Sequence, residues 1–406
     1  MLRRALGPGQ LIATGVGCMI GAGIFLSTPG LAHRYGAPAL FGGYLVAALA
    51  CALTALCYAE FAAVDGGAGS AYSYARLTLG PRVAWLVAGA LVLEYSFGAA
   101  AVANLWMNGP AGGAIASIGV AVLLAFGIRI SAGLNTALVV LKCGVLVILV
   151  AGAFSRTGGR GFPFAFEGDW SAVAGPAVFS YLGFESVSTL GLECKQPSRD
   201  LPVGVIGSLA VTTAIYLVVI AAYGAVMPPL HAEMAGMAPA FEPAARIAIS
   251  VGLSTVLIAM MMGQSRVFFA MARDGALPAG IGRISDLTLA PVGAIAVSGV
   301  AITVLCLTIP AGKLYDLAVI GTLIAFTVVA GALPLLRRKQ PGSPETSAAT
   351  PRAITFRVPL IWLIAPAAVV VNLYIVARMI APVAIELVVF AAVWIAAGIG
   401  INRTKD

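Results

Sequence analysis

The sequence predicts an all-α, polytopic membrane protein of about twelve transmembrane helices, each built on roughly 20 apolar residues. Three observations carry that expectation. First, 60% of the 406 residues are hydrophobic and only 10% are charged, with a mean hydropathy of +1.00. A soluble domain needs roughly 25% charged residues to solvate its surface, so a surface this poor in charge faces lipid. Second, the apolar residues come in runs long enough to span a bilayer. Third, 48 glycines are spread through those runs, as in membrane helices, where Gly lets backbones approach closely.

Taken in order, the apolar segments lie near 9–29, 39–63, 82–107, 113–129, 132–154, 171–192, 203–227, 243–272, 290–309, 315–336, 358–379 and 382–401. The first follows Arg3 and Arg4 and has the charge pattern of a signal peptide, but no clean small-residue cleavage site follows it and further spans do. It is expected to stay. Basic residues set the orientation. With the N-terminus inside, sixteen Lys and Arg residues, including Arg3, Arg4, Arg273 and the Arg337-Arg338-Lys339 cluster, fall on the cytoplasmic side. Five fall outside: Arg34, Arg156, Arg160, Lys313 and Arg378. Both termini are therefore expected in the cytoplasm, and the Pro-, Ser- and Thr-rich stretch 337–357 reads as a cytoplasmic linker. The whole of 1–406 is expected to be one transmembrane domain.

Several classes are excluded. The net charge of +8 is scattered between apolar runs, which argues against a nucleic-acid surface. The cysteines Cys18, Cys51, Cys57, Cys143, Cys194 and Cys306 lack metal-ligand spacing and read as small hydrophobes. No Walker-type phosphate loop is present, and no nucleophile–base pair or metal cluster lies in any span. No enzyme activity and no cofactor are expected.

Two spans are interrupted. Thr14 to Phe25 holds glycines at 15, 17, 21 and 23, and each Gly costs roughly 1 kcal/mol in a helix interior. An unwound point is expected at Gly21-Ala22-Gly23. In the sixth span, Pro176 and Gly183 bracket small and polar residues, and Glu185 is ionisable at membrane depth. Either segment alone reads equally well as packing glycines. Irregular backbone within the hydrocarbon region survives only where protein or a cavity satisfies it. Paired interruptions five spans apart are the sequence pointer to an inverted-repeat transporter site. A half-helix starting at such a break offers N–H groups to a carboxylate, and one ending there offers carbonyls to an ammonium. Together they suit an amino acid.

At these residues a resemblance becomes specific. Gly17 to Phe25 resembles the GxxIGxGIF motif, and Leu93 to Tyr95 the third-helix signature, of the cationic amino acid transporter family and its bacterial homologues, within the amino acid–polyamine–organocation superfamily. The runs Phe184 to Pro202, Ser265 to Pro278 and Ile320 to Thr327 resemble that family's sixth, eighth and tenth helices. The resemblance covers nearly the whole chain. It implies two inverted repeats of five helices, 9–154 and 171–336, followed by a pair of helices in 358–401. It implies that backbone amides around Ile20, Gly21, Ala22 and Gly23 hold a substrate carboxylate. Carbonyls around Phe179, Ser180 and Leu182 would hold the α-amine, with Phe179 as a gate. The chain departs from the pattern at Glu185, where the family has Asp, and at Leu192-Glu193, where it has two Glu. Both departures bear on the inner gate, to which Glu185 and Arg266 are assigned.

Intramembrane charges are functional hypotheses by default. Lys142 lies about ten residues into its span, at 1.5 Å per residue too deep to snorkel easily. It matches a fifth-helix lysine that takes the place of a sodium ion in proton-coupled relatives, and a desolvated ammonium can release and rebind a proton. Glu94, midway along the third span, reads as its carboxylate counterpart or as a pocket-lining group. Met260 falls where cationic carriers have a small polar residue, so its thioether would fill the side-chain pocket.

The sequence thus leads to the expectation of a secondary transporter in the cytoplasmic membrane, taking up a small neutral amino acid such as alanine with protons by alternating access. Carriage of arginine or lysine, amino-acid exchange, and a channel or membrane scaffold are the alternatives. The expected partners are the amino acid, protons and the lipid bilayer.

Overall fold

The computed structural model describes residues 4–21, 23–24, 28–156, 167–226, 242–339 and 355–403. Among them the only β pairing is an isolated bridge between Leu6 and Cys194; the rest is helix and connections. In chain order the helices are α1 (Pro8–Met19), α2 (Thr28–Val64), α3 (Ala71–Leu79), α4 (Pro81–Val92), α5 (Gly98–Trp106), α6 (Pro110–Ala125), α7 (Ile128–Arg156) and α8 (Trp170–Tyr181). There follow α9 (Pro197–Val226), α10 (Glu242–Arg273), α11 (Val292–Thr308), α12 (Ala311–Lys339), α13 (Ile361–Met379) and α14 (Ala384–Arg403). A π-helical turn (Leu93–Phe97) joins α4 to α5, and a 3-10 segment (Glu185–Glu193) follows α8.

Seven helices are long and apolar enough to cross a membrane, and three more, Pro110–Ala125, Thr136–Ile148 and Val292–Thr308, are shorter apolar helices. With the two interrupted segments these account for the apolar runs read from the sequence. The packing follows from composition. Alanine and glycine line the close contacts, and the large buried side chains are Tyr44, Tyr58, Tyr72, Tyr74, Tyr95, Tyr181 and Tyr216 together with Phe61, Phe184, Phe269 and Phe326. The outward rows of α6, α7, α13 and α14 carry exposed Ile118, Val140, Val370 and Val389, an apolar perimeter that only lipid would cover.

Three local features position the site. The helix of α2 absorbs the end of the first span and bends at Gly36, whose φ of +80° suits only Gly, just before Pro38. Asp169 caps α8, accepting from the Ser171 hydroxyl and the Ala172 N–H; these two bonds hold its carboxylate below the ordinary range. The third is α3, a nine-residue amphipathic helix that the hydropathy pattern did not reveal. It buries Tyr72 and Tyr74 and turns Arg76 outward to Asp274 at 3.2 Å. The segment 340–354, most of the expected linker, lies outside the described residues.

Candidate functional site

Both predicted interruptions are real breaks of the helix. α1 stops at Met19, and Ile20 is extended (φ −75°, ψ 97°), one residue ahead of the glycines expected to unwind it. Gly23 and Ile24 sit in a π-type turn before α2 resumes at Thr28; Ala22 lies outside the described residues. In the sixth segment Pro176 does not break the helix, which runs on to Tyr181. The break falls at Leu182, extended (φ −62°, ψ 132°), and at Gly183 with φ +122°, a conformation that only Gly adopts freely.

The two breaks interlock. A Cβ on Gly23 would lie 2.5 Å from the Cα of Ser180, and a Cβ on Gly183 would lie 2.5 Å from the Sγ of Cys18. Gly21 packs as tightly, with the Val256 side chain at 2.3 Å from a hypothetical Cβ. Glycine is required here for close approach, since no larger residue fits between the half-helices.

Hydroxyl groups stitch the breaks together. The Thr28 hydroxyl donates to the Gly23 carbonyl (3.0 Å) and bonds to the Tyr44 hydroxyl, which in turn shares a hydrogen bond with Ser180 Oγ (2.8 Å). From α9, the Tyr216 hydroxyl sits between the carbonyls of Met19 (2.6 Å) and Ser180 (2.7 Å). Tyr216 therefore touches the open ends of α1 and α8 at once. Sequence reasoning passed over it, because a tyrosine inside an apolar run looks like any core aromatic. The Ser180 carbonyl, expected to hold an amine, is engaged by this hydroxyl; the Phe179 carbonyl accepts the Leu182 N–H (3.2 Å).

Lys142 lies fully buried on α7 and points at the first break. Its Nζ donates to the carbonyls of Gly17 (2.7 Å) and Ile20 (2.6 Å) and to Thr255 Oγ1 (2.7 Å). Thr255, on α10, also reaches the Gly17 carbonyl (3.2 Å). An ammonium has three donors and no acceptor, so all three are used. The end of α1, with its carbonyls left over by the break, is where the helix dipole favours a cation.

Lys142 gives its three donors to Gly17, Ile20 and Thr255 and none to Glu94. Glu94 sits on the π turn, 1% exposed, and Glu185 is fully buried at the start of the 3-10 segment. Glu185 Oε2 accepts the Gly183 N–H (2.9 Å). Of the two residues assigned to the inner gate, Glu185 lies at the sixth break and Arg266 pairs with Glu193. Met260 of α10 is buried, and its thioether lies 3.1 Å from a hypothetical Cβ on Gly98, one helical turn beyond Glu94.

The chain matches the family model for amino acid permeases over residues 6–401. It belongs to that family. Among relatives of this permease, the methylthioribose transporter of Bacillus subtilis (strain 168) is 31% identical over 401 residues, spanning 89% of this chain and 85% of that protein. Cationic amino acid transporter 4, vacuolar, of Arabidopsis thaliana is 35% identical, over 85% of this chain and 65% of its own. The branched-chain amino acid permease BcaP of Bacillus subtilis is 33% identical, over 85% and 83%. These names span three kinds of cargo, so membership by itself does not fix one.

Two further contacts flank the breaks in this permease. Arg266 pairs with Glu193 (2.8 Å), both nearly fully buried, and donates to Ser265. The Glu193 carbonyl accepts the N–H groups of Ala5 and Leu6 (2.9 and 3.0 Å), and Leu6 accepts from Lys195 (2.9 Å). The segment before α1, the end of the 3-10 segment and α10 are thereby tied into one cluster. Toward the start of α12, the rings of Phe179 and Tyr315 pack with centroids 3.9 Å apart.

Proposed function

We propose that this permease takes up a small neutral amino acid such as alanine, driven by protons, in a bacterial cytoplasmic membrane with both termini inside. The observation that carries the reading is the Lys142 ammonium bound to the carbonyls of Gly17 and Ile20 and to Thr255. A fixed ammonium occupies a place that a mobile cation would need. Loss of one proton would leave a neutral amine with two donors for three acceptors, so the charge on Lys142 and its bonds at the first break would change together.

In this reading the N–H groups around Ile20, Gly21, Ala22 and Gly23 receive the substrate carboxylate. Carbonyls around Phe179, Ser180 and Leu182 receive the amine, with Tyr216 displaced from Ser180 as the amine enters. Phe179, packed on Tyr315, gates the pocket, and Glu185 and Arg266, the latter paired with Glu193, serve the inner gate. The side-chain pocket is apolar at Met260, which supports a small neutral side chain. Carriage of cationic amino acids is a second reading. It is favoured by the 35% identity to a cationic amino acid transporter and by the acid Glu94, one helical turn from the Gly98 on which Met260 packs.

Uptake into proteoliposomes tests the proposal, with a competition panel run with and without an imposed pH gradient. Saturable alanine uptake with counterflow, accelerated by an inward proton gradient, is expected. A sodium requirement, arginine outcompeting alanine, or leak without saturation would overturn it.

A further inference from the structure

Tyr44 joins the two breaks and belongs to neither. Sixteen residues separate it from Thr28, about 24 Å along a straight helix at 1.5 Å per residue. The bend at Gly36 (φ +80°), midway between them, folds the two arms of α2 together until their hydroxyls meet at 2.5 Å. The Tyr44 hydroxyl also reaches Ser180 Oγ in the last turn of α8 (2.8 Å), and Thr28 Oγ1 reaches the Gly23 carbonyl (3.0 Å). The side chains of Thr28, Tyr44 and Ser180 are fully buried.

The hydrogens of this chain run one way. A hydroxyl has one hydrogen to give. Thr28 gives its own to the Gly23 carbonyl, so it takes the hydrogen of Tyr44, and Tyr44 takes that of Ser180. Each hydroxyl accepts one bond and donates one, and bonds in such a chain polarise and strengthen one another. The circuit closes by direct packing, since a Cβ on Gly23 would lie 2.2 Å from Ser180 Oγ. The Tyr44 ring stands against those of Tyr181 and Tyr216, at centroid distances of 6.1 and 5.7 Å. The Tyr181 hydroxyl donates to the Tyr44 carbonyl (3.3 Å), so ring and backbone are both held.

What the hydroxyl chain fixes is the distance from Gly23 to Ser180. Under the proposed function, N–H groups near Gly23 receive the substrate carboxylate and carbonyls near Ser180 its amine. An α-amino acid has a single carbon between the groups that carry its charges. A two-point site gains from both ends of such a ligand only when the separation of its receptors is set in advance. Two irregular backbone segments set no separation by themselves; a supporting side chain that ties them together does.

We propose that Tyr44, acting through Thr28 and Ser180, is the positioning residue that sets the separation between the two ends of the site and so favours α-amino acids over β-amino acids. The assignment rests on the proposed binding of an amino acid across the two breaks. It does not depend on the side chain of that amino acid or on how uptake is driven.

Calorimetric binding of alanine and β-alanine to the purified protein tests it. The wild type should bind alanine about tenfold more tightly or better. Tyr44→Phe keeps the ring and removes both hydroxyl bonds. It should weaken alanine binding about tenfold and β-alanine binding less than about twofold, so that the preference collapses. Thr28→Val cuts the chain at its other link and should do the same, whereas Thr28→Ser returns a hydroxyl and should restore the preference. A residue that only supports the fold would lower both affinities alike. Parallel losses, a preference unchanged in Tyr44→Phe, a wild type without preference, or Thr28→Ser behaving as Thr28→Val would each overturn the proposal. The panel is repeated with arginine and its β-homologue, so a cationic cargo would overturn the neutral reading and leave this test in force. Alkylation of Cys18 gives a readout without substrate, because its Sγ lies 2.5 Å from a hypothetical Cβ on Gly183, where the two breaks meet. Tyr44→Phe and Thr28→Val should each speed that alkylation, and the double variant should be no faster than either. Should the wild type bind no amino acid, the transport reading fails, and Cys18 rates equal to wild type in both variants would then overturn this proposal too.

Discussion

The first and sixth breaks have the same architecture and opposite chemistry. At the first, α1 ends and its carbonyls face inward, and the interior answers with donors: Lys142 on Gly17 and Ile20, Tyr216 on Met19. At the sixth, the 3-10 segment starts with free N–H groups, and an acceptor fills the place, the Glu185 carboxylate on the Gly183 N–H. The sign of the helix end selects the sign of the side chain. A buried cation and a buried acid are therefore consequences of breaking two helices inside a membrane, because the backbone groups so exposed must be satisfied.

The widest difference from wild type is expected where the breaks touch. Gly23→Val would push a branched side chain into the Ser180 backbone, 2.5 Å from its Cα. Overpacking alone costs about 1–3 kcal/mol, and the unwound conformation and close substrate approach are lost with it. Substrate binding, measured by calorimetry on folded protein, should be abolished. Wild-type affinity in a folded Gly23→Val protein would show that the first break is not part of the site.

Next comes the cation. Lys142→Ala removes three hydrogen bonds; the Gly17 carbonyl keeps Thr255 Oγ1 at 3.2 Å, whereas the Ile20 carbonyl loses this donor, and a buried group left unsatisfied costs about 1–3 kcal/mol. Stability should fall measurably while the helical fold persists, and uptake should cease to follow an imposed pH gradient. Uptake by that variant that still tracks the gradient would move the coupling role elsewhere, and would leave the comparison between the breaks purely structural.

How far these contrasts were legible in the sequence depends on whether a signal is local. Apolar runs, Gly-rich interruptions and an intramembrane lysine are each visible within one span, and they led to the twelve segments, both breaks and Lys142. The positions of the breaks shifted because Pro176 is tolerated within α8 and the chain bends instead where Gly183 can take φ +122°. What was not visible depends on neighbours from other spans. Nothing around Glu94 announces a π turn, and nothing near Glu185 announces that its carboxylate accepts the Gly183 N–H. The same holds for Tyr216, whose importance comes wholly from two carbonyls on other helices. The helix α3 was missed for another reason: nine residues with Arg76 among them are too short and too polar to register as an apolar run.

Tyr216 allows a finer test, because it serves both breaks. Tyr216→Phe keeps the ring in its edge contacts with Tyr44 and Tyr181 and deletes only the hydroxyl between Met19 and Ser180. A net loss of about 1 kcal/mol in stability is expected from the missing hydrogen bond, read as a lowered midpoint of thermal unfolding. Alanine affinity should rise or hold steady, since the Ser180 carbonyl is released for the amine. A large fall in affinity would mean that the hydroxyl itself contacts substrate.

The smallest effect on transport is expected at Met260, and it bears on cargo more than on the breaks. The thioether is buried over Gly98, one turn from Glu94, and the next turn of α10 lays Gly263 on the Tyr95 ring. A side chain there fills space that an arginine or lysine chain would need. A buried guanidinium would also need a counter-charge, and α10 carries no Asp or Glu between Pro243 and Arg273. Met260→Ser should therefore admit longer, cationic side chains and improve arginine affinity by about tenfold, about 1.4 kcal/mol, at a stability cost of about 2 kcal/mol for the truncated core methionine. Alanine affinity should change little, because its methyl group does not reach this far. If Met260 only packs the helices together, the variant loses stability and its substrate spectrum stays as it was. Binding of alanine and arginine to both purified proteins separates the two outcomes, and arginine binding more tightly than alanine in the wild type would remove the argument for a neutral substrate.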